Sequence, residues 1–323
     1  MSDLLGSPRP IIAIEEHYWD AELATHFEGI ESSQTNIIES RLRDFAGDRI
    51  RDMDAAGITK AVLSHGAPSG QRLDADIAVP LIARVNDRLQ SAVDANPDRF
   101  AAFAALPTAV PEAAADELER CIGMGFKGAM IHGLSNGEFL DHRKFWPIFA
   151  RAEQLDVPIY LHPSLPHPAV VAAYYQDYIQ EHPLFARPAW GFTVECGTQA
   201  IRLMLSGLFE KHPNLKLILG HMGESLPFQL WRIDSALSRP GGTAIGLREI
   251  FTRNFWITTS GFFSTPALLC SLMELGVDRV MFAVDWPFVP ESAPGTAWME
   301  SVPISAADKQ KIMSGNAQEL LKL

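Results

Sequence analysis

Short, almost continuous runs of apolar residues recur along the chain, and segments with an amphipathic pattern separate them. Such runs are typical of strands in a parallel sheet that is covered on both faces, since neither face is left polar. The pattern predicts eight strands, at residues 10–17, 60–66, 100–107, 127–133, 158–163, 215–221, 255–261 and 279–285.

The segments between the runs have the period of amphipathic helices, most clearly at 49–57, 111–125, 145–156 and 268–278. The first two end on a glycine, a common helix terminator. Eight strands that alternate with helices predict an α/β fold, a closed (β/α)8 or TIM barrel. The rival is a doubly wound open sheet, but no glycine-rich dinucleotide motif follows the first strand.

No linker or low-complexity segment divides the chain, so we predict one domain over residues 1–323. Two insertions, near 18–48 and 164–200, exceed ordinary loop lengths. We expect them to cover or build the mouth of an active site.

The composition narrows the classes of partner. The formal charge of -12 disfavours nucleic acid, which needs a basic surface. The cysteines Cys121, Cys196 and Cys270 form no CxxC pair, which favours a reducing compartment. No stretch approaches the roughly 20 apolar residues that span a bilayer. We therefore expect a cytoplasmic protein without a membrane or nucleic-acid partner.

Residues at the carboxyl ends of the predicted strands are the candidates for chemistry, because barrel enzymes build their sites there. On the first strand Glu15 and His17 point to one face while Glu16 points away. Metal-ligand residue types end four strands: Glu15-Glu16-His17, His162, His221 and Asp285.

Glu15, His17, His162 and Asp285 would make a mixed nitrogen and oxygen site for one divalent ion, Zn or Mn. Hydrogen bonding of Glu15 and His17 to loop backbone is the alternative, but buried carboxylates without a cation are costly. A binuclear site would need a carboxylated lysine at the end of the fourth strand to bridge the two ions. Lys127 lies at the start of that strand, so we expect a mononuclear site.

His221 and Glu224 are predicted to act as a catalytic pair in which the carboxylate orients the imidazole. Glu224 could instead favour a helix N-terminus by its charge. Arg232 either reaches a substrate carboxylate or is a surface cation. His132, which ends the fourth strand, is a candidate substrate contact.

Four stretches carry a resemblance to a known family: EEH at 15–17, LHP at 161–163, HPNLKLILGHMGE at 212–224 and RVMFAVDWPF at 279–288. They resemble the amidohydrolase superfamily, within it the non-oxidative decarboxylases grouped with aminocarboxymuconate-semialdehyde decarboxylase. The nearest type is the γ-resorcylate and dihydroxybenzoate decarboxylases. Classical amidohydrolases carry HxH on the first strand, and the ExH of this chain matches the resorcylate type. The stretch 190–202 supports the same assignment.

The resemblance implies the metal-ligand set given above and places the His221–Glu224 pair beside the substrate, with Arg232 contacting that pair or the substrate anion. It also implies a homodimer or homotetramer. His132 stands where the family often has Asn, and Trp286-Pro287 where it often has Tyr-Pro. These departures bear on the substituents of the substrate ring.

The expected reaction is reversible decarboxylation of an ortho-hydroxybenzoate. A metal ion would chelate the substrate, and Asp285 would protonate the ring if burial raises its pKa. The aromatic residues Trp190, Phe192, Trp286 and Phe288 either wall the ring or simply pack. No organic cofactor is expected. Hydrolysis of an ester, lactone or amide on the same barrel is the alternative reaction, and a non-catalytic binding protein is a third reading.

Overall fold

Eight parallel strands form the centre of the protein, and a computed structural model describes residues 9–27, 35–239 and 246–323 of the chain. Hydrogen bonding joins the strands in two groups, β1-β2-β3 and β4-β5-β6-β7-β8, each in sequence order. The strands are β1 (Ile12–Tyr18), β2 (Lys60–His65), β3 (Phe100–Ala102), β4 (Ala129–His132), β5 (Ile159–His162), β6 (Leu217–Leu219), β7 (Phe255–Thr258) and β8 (Val280–Met281).

Helical segments follow the strands and surround them. The described segments are α1 (Ala21–Ala24), α2 (Asn36–Leu42), α3 (Asp48–Ala56), α4 (Ala75–Ala95), α5 (Pro111–Met124), α6 (Trp146–Leu155), α7 (Pro168–Val170), α8 (Gly191–Leu205), α9 (Leu208–Lys211), α10 (His221–Glu224), α11 (Leu226–Leu237), α12 (Leu247–Asn254), α13 (Thr265–Leu275), α14 (Ala293–Ser301), α15 (Ala306–Gln310) and α16 (Asn316–Leu321). Short 3-10 turns lie at Ser69–Arg72, Arg143–Phe145 and Val277–Arg279, and π-helical turns at Val171–Tyr175 and Lys311–Gly315.

Isolated parallel bridges connect the two groups of strands at both seams. Ala104, just beyond β3, pairs with Ala129 of β4, and Glu16 of β1 pairs with Trp286 beyond β8. The Ile14 N–H also donates to the Phe282 carbonyl at 3.3 Å. Since every strand has a neighbour on each side, the strand order runs round a ring. The predicted (β/α)8 architecture, with all eight strands, is confirmed.

The alternation of side chains along each strand builds two apolar layers. One set of strand residues fills the barrel interior as a cluster of its own, and the alternate set packs outward against the helices. The interior cluster includes Ile12, Ile14, Val62, Phe103, Met130, Tyr160, Ile218 and Met281, with Leu320 and Leu321 of α16 packed on it. Strands with both faces buried explain the nearly continuous apolar runs of the sequence.

Two of the predicted helix ends agree with the structure, and a third helix lies earlier in the chain than predicted. α3 and α5 end on Gly57 (φ 72°) and Gly125 (φ 110°), both left-handed as a terminating glycine requires. The helix predicted at 268–278 occupies Thr265–Leu275 instead. It begins earlier because Pro266 in the first turn starts a helix well, and a separate 3-10 turn follows it.

The two predicted insertions contain helical segments where the structure describes them. The first holds α1 and α2, and its residues 28–34 lie outside the described part of the chain. The second holds α7, a π-helical turn and the start of α8. The single-domain assignment stays a prediction. Among the helices of the described ranges, none has both the length and the apolar character needed to cross a membrane.

Candidate metal centre and active site

Glu15, His17, His162 and Asp285 come together at one end of the barrel. One potential ligand atom from each lies within 4.8 Å of all the others. His162 Nε2 is 3.2 Å from Glu15 Oε1, and His17 Nε2 is 3.2 Å from Asp285 Oδ1. Two imidazole nitrogens and two carboxylates thus converge from β1, β5 and the segment after β8.

Hydrogen bonds between β1 and the segment after β8 fix the directions of the ligand side chains. Glu16 points away from the cluster, as predicted, and its Oε1 accepts the Val284 N–H at 3.0 Å. The Asp285 N–H donates to the Glu15 carbonyl at 2.9 Å. Asp285 has φ 69°, a left-handed conformation that non-glycine residues adopt at a cost and that is found often at functional sites.

Atoms of this cluster lack the partners that buried polar atoms normally have. Glu15 Oε1, His17 Nε2 and Asp285 Oδ1 are buried without a hydrogen-bond partner. The 3.2 Å between His17 Nε2 and Asp285 Oδ1 is a close contact but not a well-directed hydrogen bond. Buried polar atoms are rarely left unsatisfied, and these point at one common space. The residues therefore fit a divalent cation, which would satisfy all of them together.

The electrostatics of the cluster also call for positive charge. Burial opposes ionisation of Glu15, but the charge of His221 and contacts with His162 and His17 hold its pKa well below the ordinary value. Burial opposes protonation of His17 as well, yet the neighbouring Asp285 and Glu15 carboxylates raise its pKa to about 9. Protonated His17 and His221 thus balance the charge of the carboxylates, which is the role that a bound cation would take.

Asp285 does not have the raised pKa on which its predicted role as proton donor depends. Burial does raise its pKa, but the imidazoles of His17 and His221 outweigh burial, so the pKa lies below the ordinary value. The carboxyl group is therefore ionised at neutral pH. A proton that Asp285 delivers must first reach it from a neighbour.

His221 and Glu224 form the predicted pair on a left-handed turn. His221 Nδ1 lies 2.8 Å from Glu224 Oε1, and His221 Nε2 is 3.8 Å from Asp285 Oδ2. Burial lowers the pKa of His221, but the charges of Glu224 and Glu15 and the contact with Asp285 raise it well above the ordinary value. His221 thus holds a proton next to Asp285.

The predicted substrate contacts are spread more widely. The Phe288 ring is 5.7 Å from the His17 ring, so it borders the cluster. Trp190 is the N-cap residue of α8 and is 51% exposed. Arg232 lies exposed on α11, and within the described part of the chain it forms no hydrogen bond or ion pair with His221 or Glu224. His132 is 1% exposed and packs against His162.

Several supporting residues were not predicted from the sequence. The Tyr160 hydroxyl donates to Glu15 Oε2 and lies 2.8 Å from Thr258 Oγ1, and Ser64 Oγ lies 3.1 Å from His17 Nδ1. The buried Arg49 guanidinium donates to the His17 carbonyl at 2.5 Å. A polar residue inside an apolar strand run was the available signal for Tyr160 and Ser64, but nothing in the sequence indicates which ligand each one contacts.

A parallel barrel with carboxylates and imidazoles converging at its strand ends defines a metal-dependent barrel enzyme. The chain belongs to the amidohydrolase family, whose sequence profile matches residues 13–323. This confirms the resemblance stated above.

Similar proteins extend along nearly the whole chain. The γ-resorcylate decarboxylase of Polaromonas sp. (strain JS666) is 41% identical, over 97% of this chain and 98% of its own length. A solved 2,6-dihydroxybenzoate decarboxylase in complex with 2,6-dihydroxybenzoate has a TM-score of 0.88 and 37% identity, covering 98% and 99% of the two chains. The dihydroxybenzoic acid decarboxylase of Polaromonas sp. JS666, solved with manganese and 2-nitroresorcinol, has a TM-score of 0.87 and 39% identity, covering 98% of each.

Proposed function

We propose that this chain is a carboxy-lyase that removes the carboxyl group of an ortho-hydroxybenzoate without oxidation, with γ-resorcylate (2,6-dihydroxybenzoate) or a close relative as the substrate. The main support is the cluster of possible metal ligands, in which buried polar atoms lack hydrogen-bond partners. Its members are Glu15, His17, His162 and Asp285. Nearly full-length similarity to γ-resorcylate decarboxylase, at 41% identity, supports the reaction.

One divalent ion is the cofactor of the proposed reaction, and no organic cofactor is required. The four cluster residues would hold it, and when bound it would supply a charge that orients and polarises a carboxylate and an adjacent phenolic oxygen. We infer that the ion is manganese, with zinc the alternative. The equal share of carboxylate and imidazole ligands suits either metal, and a similar protein was solved with manganese.

His221 and Asp285 are proposed to transfer the proton that the reaction requires. Decarboxylation of an aromatic ring requires a proton on the carbon that bears the carboxylate, because that carbon must accept the electron pair of the breaking C–C bond. His221 carries a proton beside Asp285 Oδ2 and is oriented by Glu224. In the proposed mechanism Asp285 first accepts this proton from His221. It then delivers the proton to the ring carbon. The C–C bond then breaks, CO2 leaves and the ring regains its aromaticity.

The remaining candidates would bind and enclose the substrate ring. Phe288 borders the cluster, and Trp190 lies at the start of α8. Arg232 is proposed to contact the anionic substrate or the His221–Glu224 pair. Because it is exposed in this chain, that role requires a change in its surroundings, such as assembly.

We infer that the chain assembles into a homodimer or homotetramer, in which a second copy covers α11. Phe228 and Trp231 on that helix are 78% and 72% exposed, and large apolar side chains at such exposure are typical of an interface. Light scattering of the wild type and of a Phe228→Glu, Trp231→Glu variant tests this. A monomeric wild type would contradict it.

The reaction is tested with metal-free protein that is reconstituted with Mn²⁺ or Zn²⁺ and given a panel of ortho-hydroxybenzoates. We expect CO2 and the corresponding phenol from γ-resorcylate or a near relative. Asp285→Asn keeps a ligand oxygen but cannot carry the proton, so its kcat should fall about 10²- to 10⁴-fold. Esters and lactones belong in the same panel. Their hydrolysis, with no CO2 from any acid, would sink the decarboxylase proposal.

A further inference from the structure

His132 lies behind the metal-ligand cluster. It pairs in register with His162 across the parallel strands β4 and β5. The two ring centroids are 4.7 Å apart, and His132 Nδ1 is 3.0 Å from His162 Nδ1. Two ring nitrogens at this distance form a hydrogen bond only if one carries a proton and the other a lone pair.

The carbonyl groups beside the two rings decide which nitrogen donates. His132 Nε2 lies 2.7 Å from the His65 carbonyl oxygen, and His162 Nδ1 lies 2.7 Å from the Pro163 carbonyl oxygen. A carbonyl oxygen only accepts, so each of these nitrogens carries a proton. His132 Nδ1 is therefore the acceptor, since a proton on it would face the His162 N–H. His162 Nε2 keeps its lone pair and points to Glu15 Oε1 at 3.2 Å.

We propose that His132 is a positioning residue of the metal centre, which accepts the Nδ1–H of His162 and holds that ring with Nε2 directed at the divalent ion. This inference rests on the proposed metal-dependent function and replaces the substrate contact expected from the sequence. Metal-ligating histidines commonly donate their second ring N–H to such a partner, and its loss costs 10- to 100-fold in metal affinity or activity.

Residue His65, whose carbonyl accepts the hydrogen bond from His132, is itself held by two hydrogen bonds. His65 Nε2 accepts the Asp20 N–H at 2.9 Å, and His65 Nδ1 donates to the Gly66 carbonyl at 2.8 Å. These bonds fix the end of β2, whose carbonyl holds the His132 ring. The hydrogen bonds thus run from β2 through β4 to the ligand on β5, and they leave His132 little freedom to turn toward a substrate.

The test measures binding of Mn²⁺ alone to the metal-free full-length protein, by competition with a chelator. His132→Phe keeps a ring but removes both nitrogens, so its Kd for Mn²⁺ should rise about tenfold or more. His132→Gln retains an acceptor and a donor and should recover much of the affinity. His142→Phe makes the same exchange at an exposed position and should leave the Kd unchanged. Melting of each metal-free variant checks that it folds.

An unchanged Kd in His132→Phe would overturn the proposal, and so would a raised KM for the aromatic acid with unchanged Mn²⁺ affinity. Should His132→Phe not fold, His132→Met makes the same comparison. Failure of the proposed function is seen separately, because the wild type would then bind no Mn²⁺ or release no CO2.

Discussion

At the scale of single residues, the candidate centre depends on contacts that only small or buried groups permit. Gly220 precedes His221, and a Cβ placed on it would lie 2.8 Å from Glu15 Oε2 and 3.1 Å from the Tyr160 hydroxyl. The absence of a side chain therefore lets Glu15 and Tyr160 occupy their positions. The backbone of Gly220 is ordinary (φ -71°), so the requirement is one of space.

Gly220→Ala should displace the Glu15 carboxylate and weaken metal binding. Overpacking of this kind costs about 1–3 kcal/mol of the free energy of unfolding. Chelator competition and denaturant unfolding measure the two effects. Gly123→Ala, on an exposed face of α5 with nothing within 4 Å of the new Cβ, is the control and should be neutral or stabilising. Unchanged Mn²⁺ affinity in Gly220→Ala would show that Glu15 tolerates the methyl group.

The buried carboxyl group of Glu195, which is outside the metal-ligand set, should make the stability of the protein depend on pH. It is 5% exposed, its Oε1 has no hydrogen-bond partner, and burial raises its pKa from 4.5 to about 7. Because the folded pKa is the higher one, its contribution is complete below about 4.5 and is lost as the pH rises through about 7.

Glu195→Gln has no proton to lose, so it should be more stable than the wild type at pH 8, by roughly 1–3 kcal/mol. The two proteins should converge toward pH 5. Urea unfolding across this pH range measures the difference. Glu291→Gln, at an exposed position, should follow the wild type throughout, and a Glu195→Gln curve parallel to the wild type would refute the prediction.

At the scale of elements, the turn that carries His221 and Glu224 stores backbone strain. His221, Met222, Gly223, Glu224 and Ser225 all have positive φ, between 49° and 73°. A left-handed conformation costs a non-glycine residue roughly 1–2 kcal/mol. The turn is held by the burial of Met222 and Glu224 and by the contact between His221 Nδ1 and Glu224 Oε1. It brings His221 to the end of β6, where the imidazole faces Asp285.

Ser225→Gly should relieve part of this strain, since Ser225 is exposed and its φ is 62°. We expect a gain of about 1 kcal/mol in the free energy of unfolding, with Mn²⁺ affinity unchanged. Ser238→Gly, at a negative φ of -89° after α11, should instead lose stability. Calorimetry compares the two variants, and equal losses in both would argue that the turn is unstrained.

At the scale of the whole molecule, the candidate ligands cross-link distant parts of the barrel. Glu15 and His17 come from β1, His162 from β5 and Asp285 from the segment after β8. An ion that binds all four in the folded state and none in the unfolded chain stabilises the entire fold.

Mn²⁺ at 100 times its Kd should therefore raise the free energy of unfolding by about 2.7 kcal/mol. A Glu15→Gln, His17→Asn double variant should lose this gain. Thermal unfolding with and without Mn²⁺, after removal of metal by a chelator, measures both. An equal gain in the double variant would place the ion elsewhere on the protein.

The sequence by itself determined the order and type of the elements and the residues at the strand ends. Apolar runs such as residues 158–163 suffice for this, because a strand buried on both faces has few polar positions. The alternation along β1 likewise separated Glu15 and His17 from Glu16. Proton affinities and supporting contacts were decided only by the tertiary structure. The low pKa of Asp285 and the bond between His132 and His162 arise from groups far apart in the chain, whose burial and spacing exist only once the barrel has formed.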